Sequence, residues 1–415
     1  MRYLVLLIDG AADEPCEKLC GKTPLTVAVK PTMDMLAGKG VMGMVRVTPE
    51  GCKGGSDVGN LTVMGYDPRK YLTGRAPLEA ASMGIQMEVS DLAVRANLVT
   101  LSEEPKYEEK TMIDYSAGEI SSEEAKILIF ELNDVLRSDS YEFFPGVSYR
   151  HCFVVHNAAE DISFTPPHMF TGKPVRERLP CGKQADFFLD IMKKSYVFLS
   201  EHPINKKRIS ENRNPANSVW FWGQGRPMSL PLFKNRHGIS GAVVTAVDLI
   251  KGIAKSAGMS VYEVDGATGN LDTNFKGKAE AAKKAFEDGK ELVYLHIEAP
   301  DECGHQGDAE GKVKSLEIID RDVLSPVVSF LENRGESFAV LVTPDHPTPL
   351  STRGHSSADV PFMLYYNDEK SVEGHACYCE KVAGESGIYI DNGYDLIDLM
   401  IARKIKKEKN LYGEN

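Results

Sequence analysis

Residues 291–308 read ELVYLHIEAPDECGHQGD. The run from 291 to 299 is apolar without polar alternation and stops at Pro300-Asp301, as expected of a strand buried on both faces of a parallel sheet. Four other runs share this texture. YLVLLI (3–8) ends at Asp9 and FAVLVTP (338–344) ends at Asp345-His346; GAVVTAV (241–247) leads into DLIKGIAKSAG, and SVWFWG (218–223) ends in a GQGRP turn. Amphipathic segments such as NFKGKAEAAKKAFEDGK (274–290) lie between them. Strands and helices in alternation predict an α/β core, a doubly wound and mostly parallel sheet.

The stretch 76–180 breaks this rhythm. It holds short alternating segments (QMEVS, VRANLVTL, YRHCFVVHN), a helix with a capping signal at SSEEAKILIFELNDVL, and the Pro-rich SFTPPHMFTGKP. We expect 76–180 to be a smaller inserted α+β lid domain, with 1–75 and 181–415 forming the core.

Composition narrows the function classes. With 415 residues, 42% of them hydrophobic, the chain can fill a substantial core. A net charge of -12 argues against a protein that coats nucleic acid. The apolar start, Tyr3 to Ile8, is too short for a signal-peptide core, and no run approaches the roughly 18 residues of a membrane helix, so a cytoplasmic protein is expected. Eight scattered cysteines suit reduced thiols, although HACYC, with His375, Cys377 and Cys379, has the types to hold a soft metal. The basic tail KIKKEKNLYGEN reads as a solvated or frayed helix end.

Ligands of open parallel sheets bind beyond the carboxyl ends of the strands. Asp9, Asp301 and Asp345-His346 all fall there; His305 lies one helical turn after Asp301, and RGHSSADVP adds His355. Three carboxylates and three imidazoles suffice for two divalent ions, Zn or Mn by ligand type, if one more oxygen is supplied. Ser56, in KGGSDVGNL (53–61), is the candidate; a metal-bound hydroxyl is an activated nucleophile, and the loop lacks the Lys-Ser/Thr ending of a nucleotide P-loop. Taken singly, each residue has a plainer reading, such as a helix cap for Ser56 or Asp9.

LVLLIDGAADEP, GGSDVGNLTVMGYDPRKYLTGRAPLEAASMG, PDECGHQGD and VTPDHPTPLSTRGHSSADVPFML resemble the archaeal-type cofactor-independent phosphoglycerate mutases, a branch of the alkaline phosphatase superfamily of metalloenzymes. The resemblance implies an alkaline-phosphatase-like core. It also implies two divalent ions (Mn, with Zn, Mg or Co as alternatives), one on Asp301, His305 and His355, the other on Asp9, Ser56, Asp345 and His346. Ser56 would carry the phosphoryl group between 3-phosphoglycerate and 2-phosphoglycerate beneath a lid that excludes water. Arg75, Arg95, Asp114, Arg150, His151 and Lys173 would bind the small phosphorylated substrate, together with Asn60, which would also help hold the nucleophile loop. MIDYSAGEI and FFPGVSYRH look closer to a sister set proposed to be homoserine kinases; Glu119 stands where that set usually has His, and Met169 where an acidic residue is common. A phosphotransferase of that kind, or a phosphomonoesterase, is therefore the alternative. No nucleic-acid or membrane partner is expected, and the chain is compatible with a homo-oligomer.

Overall fold

The computed structural model describes residues 1–158, 161–369 and 377–405, so His375 and most of the basic tail lie outside the described residues. Fifteen strands occur among them. In chain order they are β1 (Arg2–Ile8), β2 (Val41–Val45), β3 (Leu92–Leu101), β4 (Met112–Asp114), β5 (Tyr141–Phe144), β6 (Arg150–Val155), β7 (Ile162–Ser163), β8 (Cys181–Gly182), β9 (Ser218–Gly225), β10 (Gly241–Val244), β11 (Ser260–Tyr262), β12 (Leu292–Ile297), β13 (Phe338–Thr343), β14 (Val360–Tyr366) and β15 (Tyr389–Ile390).

The chain divides into two compact units, one of residues 1–72 and 229–415, the other of residues 73–228. The first is built on an eight-stranded sheet in the order β11-β10-β12-β1-β13-β14-β2-β15. Its pairs are parallel except where β14 runs antiparallel to β13 and β2. The expected mostly parallel α/β sheet is therefore present. Every residue of β12 and β13 is buried, which is why these strands read as unbroken apolar runs. Leu4, Leu6 and Ile8 of β1 share a core with Met33 and Leu36 of the helix Pro31–Lys39, Phe286 of the helix Phe275–Glu287 and Val327 of the helix Ser325–Asn333.

The second unit is an antiparallel sheet, β4-β3-β6-β5 with β9 on the other side of β3, packed by the helices Ser122–Val135 and Ala185–Glu201. It has its own core, including Leu98, Phe153, Phe188, Trp220 and Phe221. Two expectations need correction. SVWFWG is not a core parallel strand: it is β9, antiparallel to β3 from Ala93↔Gly225 to Val99↔Ser218. The inserted unit accordingly runs to Met228 and not to 180. An apolar run signals burial on both faces but does not say which sheet provides it. All eight cysteines are free, and no helix among the described residues is long and apolar enough to cross a membrane.

Candidate metal centre

Three neighbouring strands of the first unit end at one edge. Leu7 of β1 is level with His296 of β12 and with Thr343 of β13, so Asp9, Asp301 and Asp345 leave the sheet together. The Asp9 amide donates to the Ile297 carbonyl at 2.9 Å. Gly10 then turns with φ +62°, and a Cβ there would lie 2.5 Å from Asp301 Oδ1; only glycine permits both the turn and the approach. Asp9, Asp345 and His346 are wholly buried, and Asp301 nearly so.

Asp301 and His305 sit one turn apart on the helix Ala299–Gln306, as their spacing predicted. His305 Nε2 is 3.2 Å from Asp301 Oδ2 and 2.9 Å from His355 Nε2. Ser56 is the first residue of the helix Ser56–Val63, after an extended Gly55. The cap position is held by Gly55, so Ser56 is not the capping residue, and its Oγ stands 3.2 Å from His346 Nε2. A Cβ on Gly59 would lie 2.2 Å from the Asp345 carbonyl oxygen, so this helix lies directly on the Asp345 loop.

Ligand-type atoms converge in two groups within 4.8 Å: Asp9, Asp345 and His346, and Asp301, His346 and His355. His346 therefore borders both groups, where the resemblance assigned it to one. Hydrogen bonds select the imidazole tautomers. Thr348 Oγ1 donates to Asp301 Oδ1, so its contact with His346 Nδ1 at 3.3 Å has nitrogen as donor, leaving the Nε2 lone pair towards Ser56 and Asp9. His305 Nδ1 donates to the Arg353 carbonyl at 2.9 Å, which likewise frees Nε2 in the neutral ring. Asn60 donates to both Asp345 Oδ2 (2.7 Å) and the Ser56 carbonyl (3.0 Å), tying the nucleophile loop to the carboxylate.

The electrostatics call for a cation. Burial raises Asp9 well above the usual carboxylate range, and the Asp345 and Asp301 charges push it further. Burial also opposes the charge on Asp301, but hydrogen bonds from His305 and His355 outweigh it and hold that carboxyl well below the range. The Asp301 contact lifts His305 to about 9, whereas burial lowers His346. Among the described residues these three carboxylates pair with histidines and with no Lys or Arg. Asp9 Oδ1 is buried and accepts no hydrogen bond. An orphaned carboxylate oxygen amid nitrogen and oxygen donors fits divalent metal binding.

The remaining predicted residues belong to the second unit. Arg95 is 8% exposed, stacks on Trp222 with its Cζ 4.0 Å from the ring centroid, and lies 3.0 Å from Glu79. Burial depresses its pKa, Glu79 opposes that, and the nearby Arg75 and Arg150 charges add to it. These three arginines thus concentrate positive charge, which favours an anion. Arg75 and Arg150 are exposed, at the start of the helix Ala76–Ser82 and of β6. His151 is buried and held neutral, down to about 3, and its Nδ1 accepts the Gly146 amide, so it adds no charge for a phosphate. Both oxygens of Asp114 accept hydrogen bonds, from Ser116 and Gly118 in its own loop and from the distant Asn214. Lys173 lines a surface recess with Glu108, Glu109, Arg176 and Arg178.

Sequence reasoning missed His296 and Thr348, which bond Asp9 and Asp301, Tyr294, which donates to Asn60, and His168, whose ring lies 5.3 Å from Trp222 and whose pKa is lowered by burial and by Arg95. A histidine inside the apolar run of β12 was the available signal for the first.

Known proteins share this chain's sequence and fold. The family model for 2,3-bisphosphoglycerate-independent phosphoglycerate mutase matches residues 37–205. A protein of that name from Methanosarcina barkeri is 45% identical, covering 97% of this chain and all of its own, and one from Methanothrix thermoacetophila is 46% identical with the same coverage. Among solved structures, a Pyrococcus horikoshii protein superposes with a TM-score of 0.81 at 28% identity, covering 98% of both chains. A cofactor-independent phosphoglycerate mutase from Thermoplasma acidophilum shares the fold, with a TM-score of 0.68 at 24% identity over 97% of this chain and 99% of its own. Similarity of this degree over nearly the whole length of both chains shows that the chain belongs to the family of 2,3-bisphosphoglycerate-independent phosphoglycerate mutases.

Proposed function

We infer that the protein interconverts 3-phosphoglycerate and 2-phosphoglycerate in the cytoplasm, with Ser56 as the group that carries the phosphoryl. The observation that carries this reading is the Ser56 hydroxyl at the head of a helix, one residue past the cap position and beside His346 in a nest of buried carboxylates. Membership of the mutase family favours glycerate over homoserine as acceptor.

Asp9, Ser56, Asp345 and His346 would hold one divalent ion and Asp301, His305 and His355 the other, with Mn the first choice by ligand type and Zn, Mg or Co as alternatives. Such ions neutralise the phosphoryl oxygens and lower the pKa of the serine hydroxyl. The chain's own residues do the rest. Asn60 and the helix Ser56–Val63 aim Oγ, and the helix N-terminus favours the incoming negative charge. Oγ forms a bond to phosphorus as the bond from phosphorus to the 3-oxygen breaks, and the proton lost by Ser56 is balanced by the one gained at that oxygen. The 2-hydroxyl of the same glycerate then attacks phosphoserine, loses its proton and restores Ser56. No water is consumed, and water must be excluded while the phosphoserine waits. Arg75, Arg95 and Arg150 are the proposed anion-binding groups.

The test is an enolase-coupled assay with Mn(II), run beside a homoserine phosphorylation assay and a phosphate-release assay. Conversion of 3-phosphoglycerate in the first and silence in the others are expected. Ser56→Ala should abolish turnover and keep most of the metal uptake. Homoserine phosphorylation without mutase activity would overturn the substrate, and an active Ser56→Ala would overturn the nucleophile.

A further inference from the structure

The two oxygens of Asp9 live in different surroundings. Oδ2 lies 2.9 Å from His296 Nε2, whereas Oδ1 has no hydrogen bond and lies 3.5 Å from His346 Nε2. Behind His296, Nδ1 is 3.1 Å from Thr245 Oγ1, which itself accepts the Val247 amide at 3.0 Å. Both His296 and Thr245 are buried.

The direction of this chain of bonds follows from the groups in it. An ionised Asp9 can only accept, so His296 Nε2 carries the proton. A neutral imidazole has one N–H, so Nδ1 must accept and the Thr245 hydroxyl must donate to it. Polarity therefore runs from the Val247 amide through Thr245 and His296 to Asp9 Oδ2. Two residues earlier on the same face of β12, Tyr294 donates to Asn60 Oδ1 at 2.8 Å, and Asn60 holds Asp345 Oδ2. One strand thus bonds Asp9 directly through His296 and Asp345 indirectly through Tyr294 and Asn60.

We propose that His296 is a positioning residue: by occupying Asp9 Oδ2 it leaves Oδ1 as the oxygen offered to a cation, and Thr245 fixes the tautomer that makes this selection. This rests on the metal-binding reading of the site given above. Without the donor, Asp9 is free to rotate and to meet the ion with either oxygen, at the cost of an ordered ligand.

Mn(II) uptake by the full chain, followed by the paramagnetic resonance of the free ion, tests the proposal without reference to turnover. His296→Leu keeps the bulk and lacks the donor; about tenfold weaker uptake is expected, the usual effect of losing such a partner. His296→Gln places an amide nitrogen near the Nε2 position and should recover most of the affinity, with Thr245→Val falling between the two. A role in packing alone would lower the unfolding midpoint of His296→Leu and leave the affinity of its folded fraction at the wild-type value; that result overturns the proposal. Should His296→Leu fail to fold, the other pair decides: Thr245→Val binding as tightly as wild type while His296→Gln binds more weakly overturns it equally. A wild-type protein that takes up no Mn(II) would overturn the metal reading itself, whereas variants matching a metal-binding wild type would overturn this inference alone.

Discussion

Lys278, on the helix Phe275–Glu287, carries an ammonium group into the protein interior, where it makes a long hydrogen bond of 3.4 Å to the Thr268 carbonyl. Burial lowers its pKa from 10.5 to about 8, against the opposing charge of Glu298. Between these values the unfolded chain binds more protons than the folded one, so this residue's contribution makes stability rise with pH across that window. Below pH 8 the full penalty is present; above 10.5 it is gone. In Lys278→Met this contribution disappears. The difference in unfolding free energy should therefore move in favour of the wild type by about 3 kcal/mol from pH 8 to 10.5. Urea titrations of both proteins across that range check it, and parallel pH profiles would refute it. The sequence conceals Lys278 because KAEAAKKAF reads as an amphipathic helix whose lysines face water. Asp9, Asp301 and Asp345 stood out for a different reason: each alone has a structural reading, but three acidic residues at the ends of three apolar strands fall where ligands of a parallel sheet bind. At His151 and Asp114 the bonds present are local ones, from the Gly146 amide and from Ser116 and Gly118. Such local bonds depend on turn geometry that residue type does not reveal.

At the scale of elements, the helix Pro31–Lys39 has no side-chain cap of its own; Lys30 occupies the cap position and its side chain makes no capping bond. The cap comes from far along the chain. Asp320 Oδ1 and Oδ2 accept the amides of Met33 at 2.7 Å and Thr32 at 3.0 Å. Asp320 is 1% exposed and stands in the π-helical turn Ile319–Leu324, whose wider winding interrupts the helices Ala309–Ile318 and Ser325–Asn333. Burial raises its pKa and the two amides oppose that rise. Removing the carboxylate leaves two helix-end amides unpaired, so Asp320→Ala should cost about 2–3 kcal/mol. Hydrogen exchange provides the local check: the Thr32 and Met33 amides should lose protection in the variant, and unchanged exchange there would refute the cap. A cap donated from a π turn was not legible in the sequence, since neither a π turn nor a distant partner leaves a local pattern. The same limit explains β9, whose run was rightly seen as a buried strand and wrongly assigned to the core.

For the whole molecule, the inserted unit begins and ends at one place. Thr73 Oγ1 donates to the Arg226 carbonyl at 2.5 Å, and a Cβ on Gly225 would lie 2.7 Å from the Thr73 carbonyl oxygen, so the entering and leaving strands of chain touch. Adjacent termini and a private core are the conditions under which an inserted domain folds alone. The core of residues 73–228 meets the second, with β3 central and the helix Ala185–Glu201 packed on β9. The entry point at 73 was close to legible because the core's α/β rhythm lapses there. The exit at 228 was hidden, since a helix followed by an apolar strand at 185–225 imitates one more α/β repeat. A fragment ending at 180 would lack β9 and expose the long flank of β3, and should aggregate. The fragment 73–228 should instead unfold in a single cooperative transition in urea and give a dispersed amide spectrum. It should also take up no Mn(II), because every candidate metal ligand lies in the other unit. A fragment 73–228 without cooperative unfolding would mean that its core depends on residues outside it, and metal uptake by that fragment would place a binding site where the strand-end argument has none.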